Sequence, residues 1–384
     1  MGEYDSELSK IVAELNRAAP SQQRATVVRT PASTASLDQL LGLAVSRGAS
    51  DVLLIVGAAP VLRVQGALTS AARAPLESEE VRSLVLPLLD EPQLDELHKR
   101  KSVDLSFMRE GLGRFRVNIH YQRGTLAASI RLLPSRIPSL ESLHLPVTLA
   151  KLADARQGLV LVTGPTGCGK SSTLAAMIDI INGKHQKHVV TVEDPVEYQH
   201  TNRKAIIEQI EVGRDTPDFA GTLRSLMRQS PDVILVGEMR DPETMATALT
   251  AAETGHLVFS TLHTNDAIQA TARILDAFPA GNQGQMRQQL SLALLAIIAQ
   301  QLVPGLDGVS RWPATEVMIA TDSVRALVRK GDDHQLRSQI SVGRSEGMMT
   351  MEQSLADLVR TNKISRDAAY AHGFRTDDLA RYLG

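Results

Sequence analysis

The chain has 384 residues, 43% of them hydrophobic, which is enough for packed cores in two or three domains. Its 41 basic and 43 acidic residues leave a net charge of −2, so bulk electrostatics announce neither a nucleic-acid nor a membrane partner. A single cysteine, Cys168, excludes a disulfide framework and a four-cysteine zinc site and fits a reducing compartment.

The N-terminus, MGEYDSELSK, has no basic and apolar signal region, and no stretch reaches the roughly eighteen apolar residues of a membrane span. A cytoplasmic location is expected. Leu8, Ile11, Val12 and Leu15 fall at helical spacing over residues 5–18, and the Pro, Ser and Thr content beyond them reads as a flexible tether to residue 35. A first domain is expected over 36–133. It opens with a helix at 37–46 and a β-rich stretch at 51–68, continues with helices near 78–89 and 92–101, and closes with strands at 103–108, 113–121 and 125–133. The alternation in Arg114-Phe-Arg-Val-Asn-Ile-His120 is that of a sheet with one polar face, so this is a small mixed α+β domain.

Two prolines and two serines in Pro134-Ser-Arg-Ile-Pro-Ser-Leu140 resist helix and strand alike, and 134–145 reads as a linker permitting interdomain motion. From residue 146 to the end, strands near 159–163, 188–192, 233–236 and 257–261 alternate with helices, which implies a mainly parallel sheet covered on both faces. Asp241, Pro242 and Gly255 mark the cap, first turn and end of one helix. The tail after Asn282 reads as helical, with the apolar run Leu290–Ala299 as a core helix.

The chemistry concentrates after the run Leu159-Val-Leu-Val162, which has the length and branching of a buried parallel strand. It leads into Gly164-Pro165-Thr166-Gly167-Cys168-Gly169-Lys170-Ser171-Ser172, a phosphate-binding loop in its required strand-to-helix context. The glycines let successive backbone N–H groups converge on phosphate oxygens, Lys170 reaches the β and γ phosphates, and Ser171 offers a hydroxyl to Mg2+. The ligand is therefore a nucleoside triphosphate.

Three further strand ends add to it. Thr191-Val-Glu-Asp-Pro-Val-Glu-Tyr198 puts Glu193, Asp194 and Glu197 at the carboxyl end of a strand, where acidic groups hold Mg2+ or its waters; taken alone, the segment reads equally as a solvated acidic turn. Val233-Ile-Leu-Val-Gly-Glu238 ends in Gly237-Glu238 where other phosphate-loop enzymes carry Asp-Glu, so Glu238 is the candidate to orient or deprotonate the attacking water. The fourth strand has a histidine at each end. His263 is placed to address the γ-phosphate or the water, and His256 is assigned to the nucleotide site.

GPTGCGKSS, VTVEDPVEY, PDVILVGEMRDPET and TAAETGHLVFSTLHTND resemble, in order, the Walker A, Asp box, Walker B and His box of the type II and type IV secretion ATPase family. Within it the chain is most similar to the pilus retraction subfamily. Ser323-Val-Arg-Ala-Leu-Val-Arg-Lys330 resembles that subfamily's AIRxLIRE segment, departing from it at Ser323, Val324, Val328 and Lys330. The resemblance implies an α/β, P-loop (RecA-like) ATPase core with a smaller N-terminal α+β (PAS-like) domain. It implies ATP and Mg2+ as ligands, a homo-hexameric ring, and an inner-membrane platform protein of a pilus machine as partner, with pilus proteins engaged indirectly. Nucleic acid and zinc have no place in it, and the location is the cytoplasmic face of the inner membrane, reached through partners. In that family two N-domain arginines fifteen positions apart reach the phosphates, and Arg116 and Arg131 match the spacing. Read from the residues alone, both are strand arginines on a solvated face, and Arg114 and Arg123 compete for the role.

Overall fold

The computed structural model describes residues 36–71 and 74–384; the helix expected over 5–18 and its tether lie outside the described residues. Six strands form the first sheet: β1 (Ala49–Ile55), β2 (Val61–Val64), β3 (Ala67–Ser70), β4 (Ser102–Arg109), β5 (Gly113–Gln122) and β6 (Thr125–Leu132). They are ordered β3-β2-β1-β6-β5-β4, and every adjacent pair is antiparallel. Period-2 alternation decides which face is buried. Phe115, Val117 and Ile119 of β5 join Leu40, Leu41, Val81, Val85 and Leu97, which come from the helices Leu37–Ser46, Ser78–Val85 and Glu91–Arg100. The intervening Arg114, Arg116 and Asn118 are half-buried on the opposite, polar face.

The second sheet contains β7 (Gly158–Thr163), β8 (His188–Glu193), β9 (Ile206–Glu211), β10 (Val233–Val236), β11 (Leu257–Leu262), β12 (Leu294–Pro304) and β13 (Arg311–Ile319), ordered β13-β12-β7-β11-β10-β8-β9. All neighbours are parallel except the β12–β13 hairpin. Helices cover both faces, so β7, β10 and β11 are buried at every residue, and Leu159–Val162 and Val233–Val236 read as unbroken apolar runs. Leu159, Leu161, Ile234 and Val258 pack on one side with the helices Pro242–Glu253, Ala267–Asp276 and Ala280–Ala293. Val160, Val162, Leu235 and Phe259 pack on the other with the helix Lys170–Lys184.

One expectation for the tail is corrected. The run Leu290–Ala299 is not a core helix: the helix Ala280–Ala293 stops and β12 begins at Leu294. A run of apolar residues interrupted only by Ser291 has no periodicity to separate helix from strand. Here β-branched Ile297 and Ile298 sit between β7 and β13, where a helix could not pair. The edge strand β9 and the partner strand β13 have no counterpart among the expected elements.

Within 134–145, Leu140 and Leu145 are buried against Leu149 and the β7 side of the second sheet, so the segment is anchored from Leu140 onward. His144 packs against Trp312 of β13 with ring centroids 4.4 Å apart and the ring planes tilted by 32°, and the Lys363 ammonium sits 4.4 Å from the same indole.

Candidate functional site

Four adjacent parallel strands, β7, β11, β10 and β8, end at one edge of the second sheet. Their carboxyl ends deliver, in that spatial order, the glycine-rich loop, His263, Glu238 and Glu193. This is the edge at which open α/β sheets hold ligands.

The loop is shaped by close backbone approach. Gly164, Gly167 and Gly169 have φ of 141°, 79° and 94°, a region that disfavours any side chain. A Cβ on Gly164 would lie 2.2 Å from the Gln300 carbonyl oxygen of β12. Pro165, Thr166 and Gly167 are exposed at the loop's crest, while Cys168 is buried beneath it. The helix Lys170–Lys184 begins directly after Gly169, aiming its amino end at the loop. The Lys170 ammonium donates to the carbonyls of Gly164 (2.9 Å) and Pro165 (3.1 Å), which folds it over the loop. Burial pulls its pKa down, opposed by the carboxylates of Glu238 and Glu197, and burial pushes the Cys168 thiol up. Ser171 and Ser172 are half-buried in the first turn, and Ser172 Oγ lies 2.7 Å from the Tyr198 hydroxyl, tying this helix to the acidic turn.

Glu238 sits at the end of β10 with its side chain only 14% exposed. It meets Arg240 Nη2 at 2.7 Å and His263 Nε2 at 3.5 Å, so the carboxylate and imidazole face each other across one strand end. Buried hydroxyls hold the backbone around them. Thr261 Oγ1 donates to the Gly237 carbonyl (2.6 Å), and Ser260 Oγ donates to that of Val236 (2.8 Å). Thr163, the last residue of β7, donates to the Thr264 carbonyl (2.5 Å) and accepts from the Thr264 N–H (3.0 Å), fixing the His263 loop to the phosphate-loop strand. Gly237 has a packing reason: a Cβ there would stand 3.3 Å from both Glu193 Cα and the Val192 oxygen.

On the acidic turn, Glu193 accepts from Thr191 Oγ1 at 2.7 Å, and burial of its carboxyl pushes it up to about 7. Asp194 is exposed and Glu197 half-buried. Among the described residues no cluster of three or more His, Cys, Asp or Glu side chains could by itself hold a metal.

Not every expected site residue reaches this edge. His256 is corrected: it immediately precedes β11, and its carbonyl accepts from Gly158, the first residue of β7. It therefore lies a full strand length, about 20 Å, from the loop. Arg116 and Arg131 are direct cross-strand partners on the polar face of the first sheet, where each meets an aspartate: Arg116 with Asp104 at 3.9 Å, Arg131 with Asp51 at 3.1 Å. Together with Asn118 and Ser129 these four line a cavity of about 280 Å3. Arg123 sits in the β5–β6 turn with φ of 47°.

Sequence reasoning missed the contact between the two sheets. Arg114 donates to the Val196 carbonyl (2.8 Å) and to Glu211 (3.3 Å), and Ser106 Oγ donates to Glu211 at 2.6 Å. Glu211 also accepts from the Val196 N–H at 3.1 Å, so the first sheet is fastened to the acidic turn itself. Along the chain Arg114 is only a rival to Arg116, one more arginine on the polar face of a strand. Gln300 is missed because the run before it reads as helix, although two glutamines closing an apolar run mark where buried polar atoms must find partners.

A family model described as Type II/IV secretion system protein matches residues 114–377. The chain belongs to that family. The type IV pilus retractation ATPase PilT of Pseudomonas aeruginosa is 42% identical over 333 residues, covering 87% of this chain and 96% of the relative. The type IV pilus ATPase PilU of the same organism is 41% identical over 342 residues, covering 89% and 90%. The crystal structure of the pilus retraction motor PilT with bound ADP superimposes with a TM-score of 0.85 at 42% identity, covering 90% of this chain and 99% of that one. Within the secretion-protein family the fold is accordingly the α/β one expected, a RecA-like P-loop core beside a smaller N-terminal α+β body. Among the described residues no helix is long and apolar enough to cross a membrane.

Proposed function

We propose that this chain is the ATP-hydrolysing subunit of a homo-hexameric motor that powers type IV pilus retraction and twitching motility. The observation that carries the reading is the convergence of the phosphate loop, His263, Glu238 and Glu193 on the carboxyl ends of four neighbouring strands. Lys170 and the loop amides hold the β and γ phosphates. Mg2+ takes oxygen ligands and keeps several waters, which suits the Ser171 hydroxyl, the phosphates, and Glu193 and Asp194 as outer partners. Glu238 takes a proton from the attacking water as that water bonds to the γ-phosphorus and the bridging oxygen leaves with ADP, with no covalent intermediate. His263 holds Glu238, and Glu197 balances the charge of Lys170. Arg116 and Arg131, side by side on the polar face of the first sheet, close over the phosphates, and residues 134–139, ahead of the anchor at Leu140, permit that closure. Work is delivered through an inner-membrane platform protein at the cytoplasmic face of that membrane.

Two type IV pilus ATPases of one organism match this chain almost equally, so a second reading stands beside the first: a weakly hydrolytic paralogue riding on another motor. Steady-state ATPase measurements on the purified chain separate the two, since a motor turns over and loses turnover with Lys170→Ala, whereas a passenger shows negligible turnover throughout. Deletion of the gene addresses direction: hyperpiliated, immobile cells indicate retraction, and bald cells indicate an assembly or secretion motor.

A further inference from the structure

Gln300 is buried at the point where β12 runs under the phosphate loop. Its backbone oxygen is the atom that forbids a Cβ at Gly164, and its side-chain nitrogen lies 3.2 Å from where a Gly169 Cβ would stand. The side chain uses both ends: Nε2 donates to the Cys168 carbonyl at 2.7 Å, and Oε1 accepts from Thr173 Oγ1 at 2.8 Å. The former contact fixes the orientation of the amide, since a carbonyl oxygen can only accept and requires the NH2 group opposite it. On its other side Thr173 is tethered to the Gly169 carbonyl at 3.2 Å.

A trans peptide plane points its C=O and the following N–H in opposite directions. Drawing the Cys168 carbonyl down onto Gln300 therefore turns the Gly169 N–H up and out, toward the concave side of the loop where anions bind. We infer that Gln300 is a positioning residue for the nucleotide, a brace from β12 that holds the Cys168–Gly169 peptide with its N–H aimed at the bound phosphates. The inference rests on the loop being a nucleotide site. It adds that the site's geometry is set from a strand more than 120 residues further along the chain.

Gln300→Leu removes the brace without adding charge. Gln300→Glu preserves shape and the acceptor for Thr173 but sets a carboxylate oxygen against the Cys168 carbonyl. Protonation of that introduced carboxyl restores a donor, and a carboxyl buried there titrates above its ordinary range. The titratable group in contact with it is Cys168, and Glu193, pushed up to about 7 at the same sheet edge, titrates within the tested range; both are common to all variants.

Binding of a fluorescent N-methylanthraniloyl ADP with magnesium, measured on the full chain from about pH 6 to 8 alongside thermal unfolding, tests this. For Gln300→Leu the dissociation constant rises on the order of tenfold, as expected for a buried carbonyl stripped of its donor, while turnover at saturating ATP stays within about twofold. For Gln300→Glu the weakening relative to the wild type at the same pH is largest near pH 8 and recovers toward pH 6, whereas the ratio of Gln300→Leu to wild type stays constant across the range. Wild-type affinity in a folded Gln300→Leu, or a Gln300→Glu profile parallel to the wild type, overturns the brace while leaving the site intact. A wild-type chain that does not bind the probe removes both readings.

Discussion

Glu211→Ala tests how the first sheet is fastened to the second. The Glu211 carboxylate is 9% exposed and receives three donors, from Ser106, Val196 and Arg114, the last itself only 12% exposed. Truncation leaves a buried guanidinium and a buried backbone N–H facing a void. Removing one partner of a buried ion pair costs roughly 3–5 kcal/mol. Because Arg114 keeps its bond to the Val196 carbonyl, the lower end, about 3 kcal/mol, is expected. Glu211→Gln, which retains an acceptor, should cost about half as much. The loss should appear as separation of the sheets rather than melting of either core, since neither apolar cluster includes this residue. Amide hydrogen exchange would show it as lost protection in β4, β5 and the turn at 194–198 while β7 and β11 stay protected. The exposed pair Lys99–Asp95, worth below about 1 kcal/mol, supplies the control through Asp95→Ala. A Glu211→Ala chain no less stable than that control, with unchanged exchange in the turn, would refute the latch.

At Glu238, substitution by Gln keeps the shape but removes the base, so nucleotide binding should persist while turnover falls about 10^2- to 10^4-fold, read by single-turnover kinetics. Arg116→Ala and Arg131→Ala should each lower turnover by roughly 10^3-fold while shifting stability by less than about 1 kcal/mol, compared by ATPase assay and denaturant titration. Glu316, on β13, accepts from the Ala267 N–H at 3.0 Å and is pushed up to about 7 by burial. The folded chain therefore binds this proton more tightly than the unfolded one, and stability declines as pH rises from about 4.5 to about 7. Glu316→Gln keeps an acceptor for Ala267 and should flatten that slope in chemical denaturation performed across the range.

The parts of the site legible in the sequence are those where one stretch carries both element and chemistry. The loop at Gly164–Ser171, the acidic turn after Thr191 and the Gly237-Glu238 strand end each announce a strand by an apolar run and a ligand edge by the glycines or carboxylates that close it. The hidden parts depend on pairing between distant strands. Leu294–Ala299 is equally apolar as helix or strand, and only its place between β7 and β13 decides, so Gln300 could not be brought under the loop. His256 and His263 look equivalent along the chain, yet a parallel strand sends them to opposite edges. Glu211 closes a polar-looking edge strand, and nothing local distinguishes it from Glu208; its partners come from about 100 residues upstream.

The packing of His144 against Trp312 gives the molecule an optical probe of its own. The chain has one tryptophan, so all indole emission originates where the segment between the sheets touches β13. Any rearrangement that peels that imidazole from the ring changes the indole emission, so a fluorimeter can test whether the anchored end of that segment moves when nucleotide binds, without a dye on the protein.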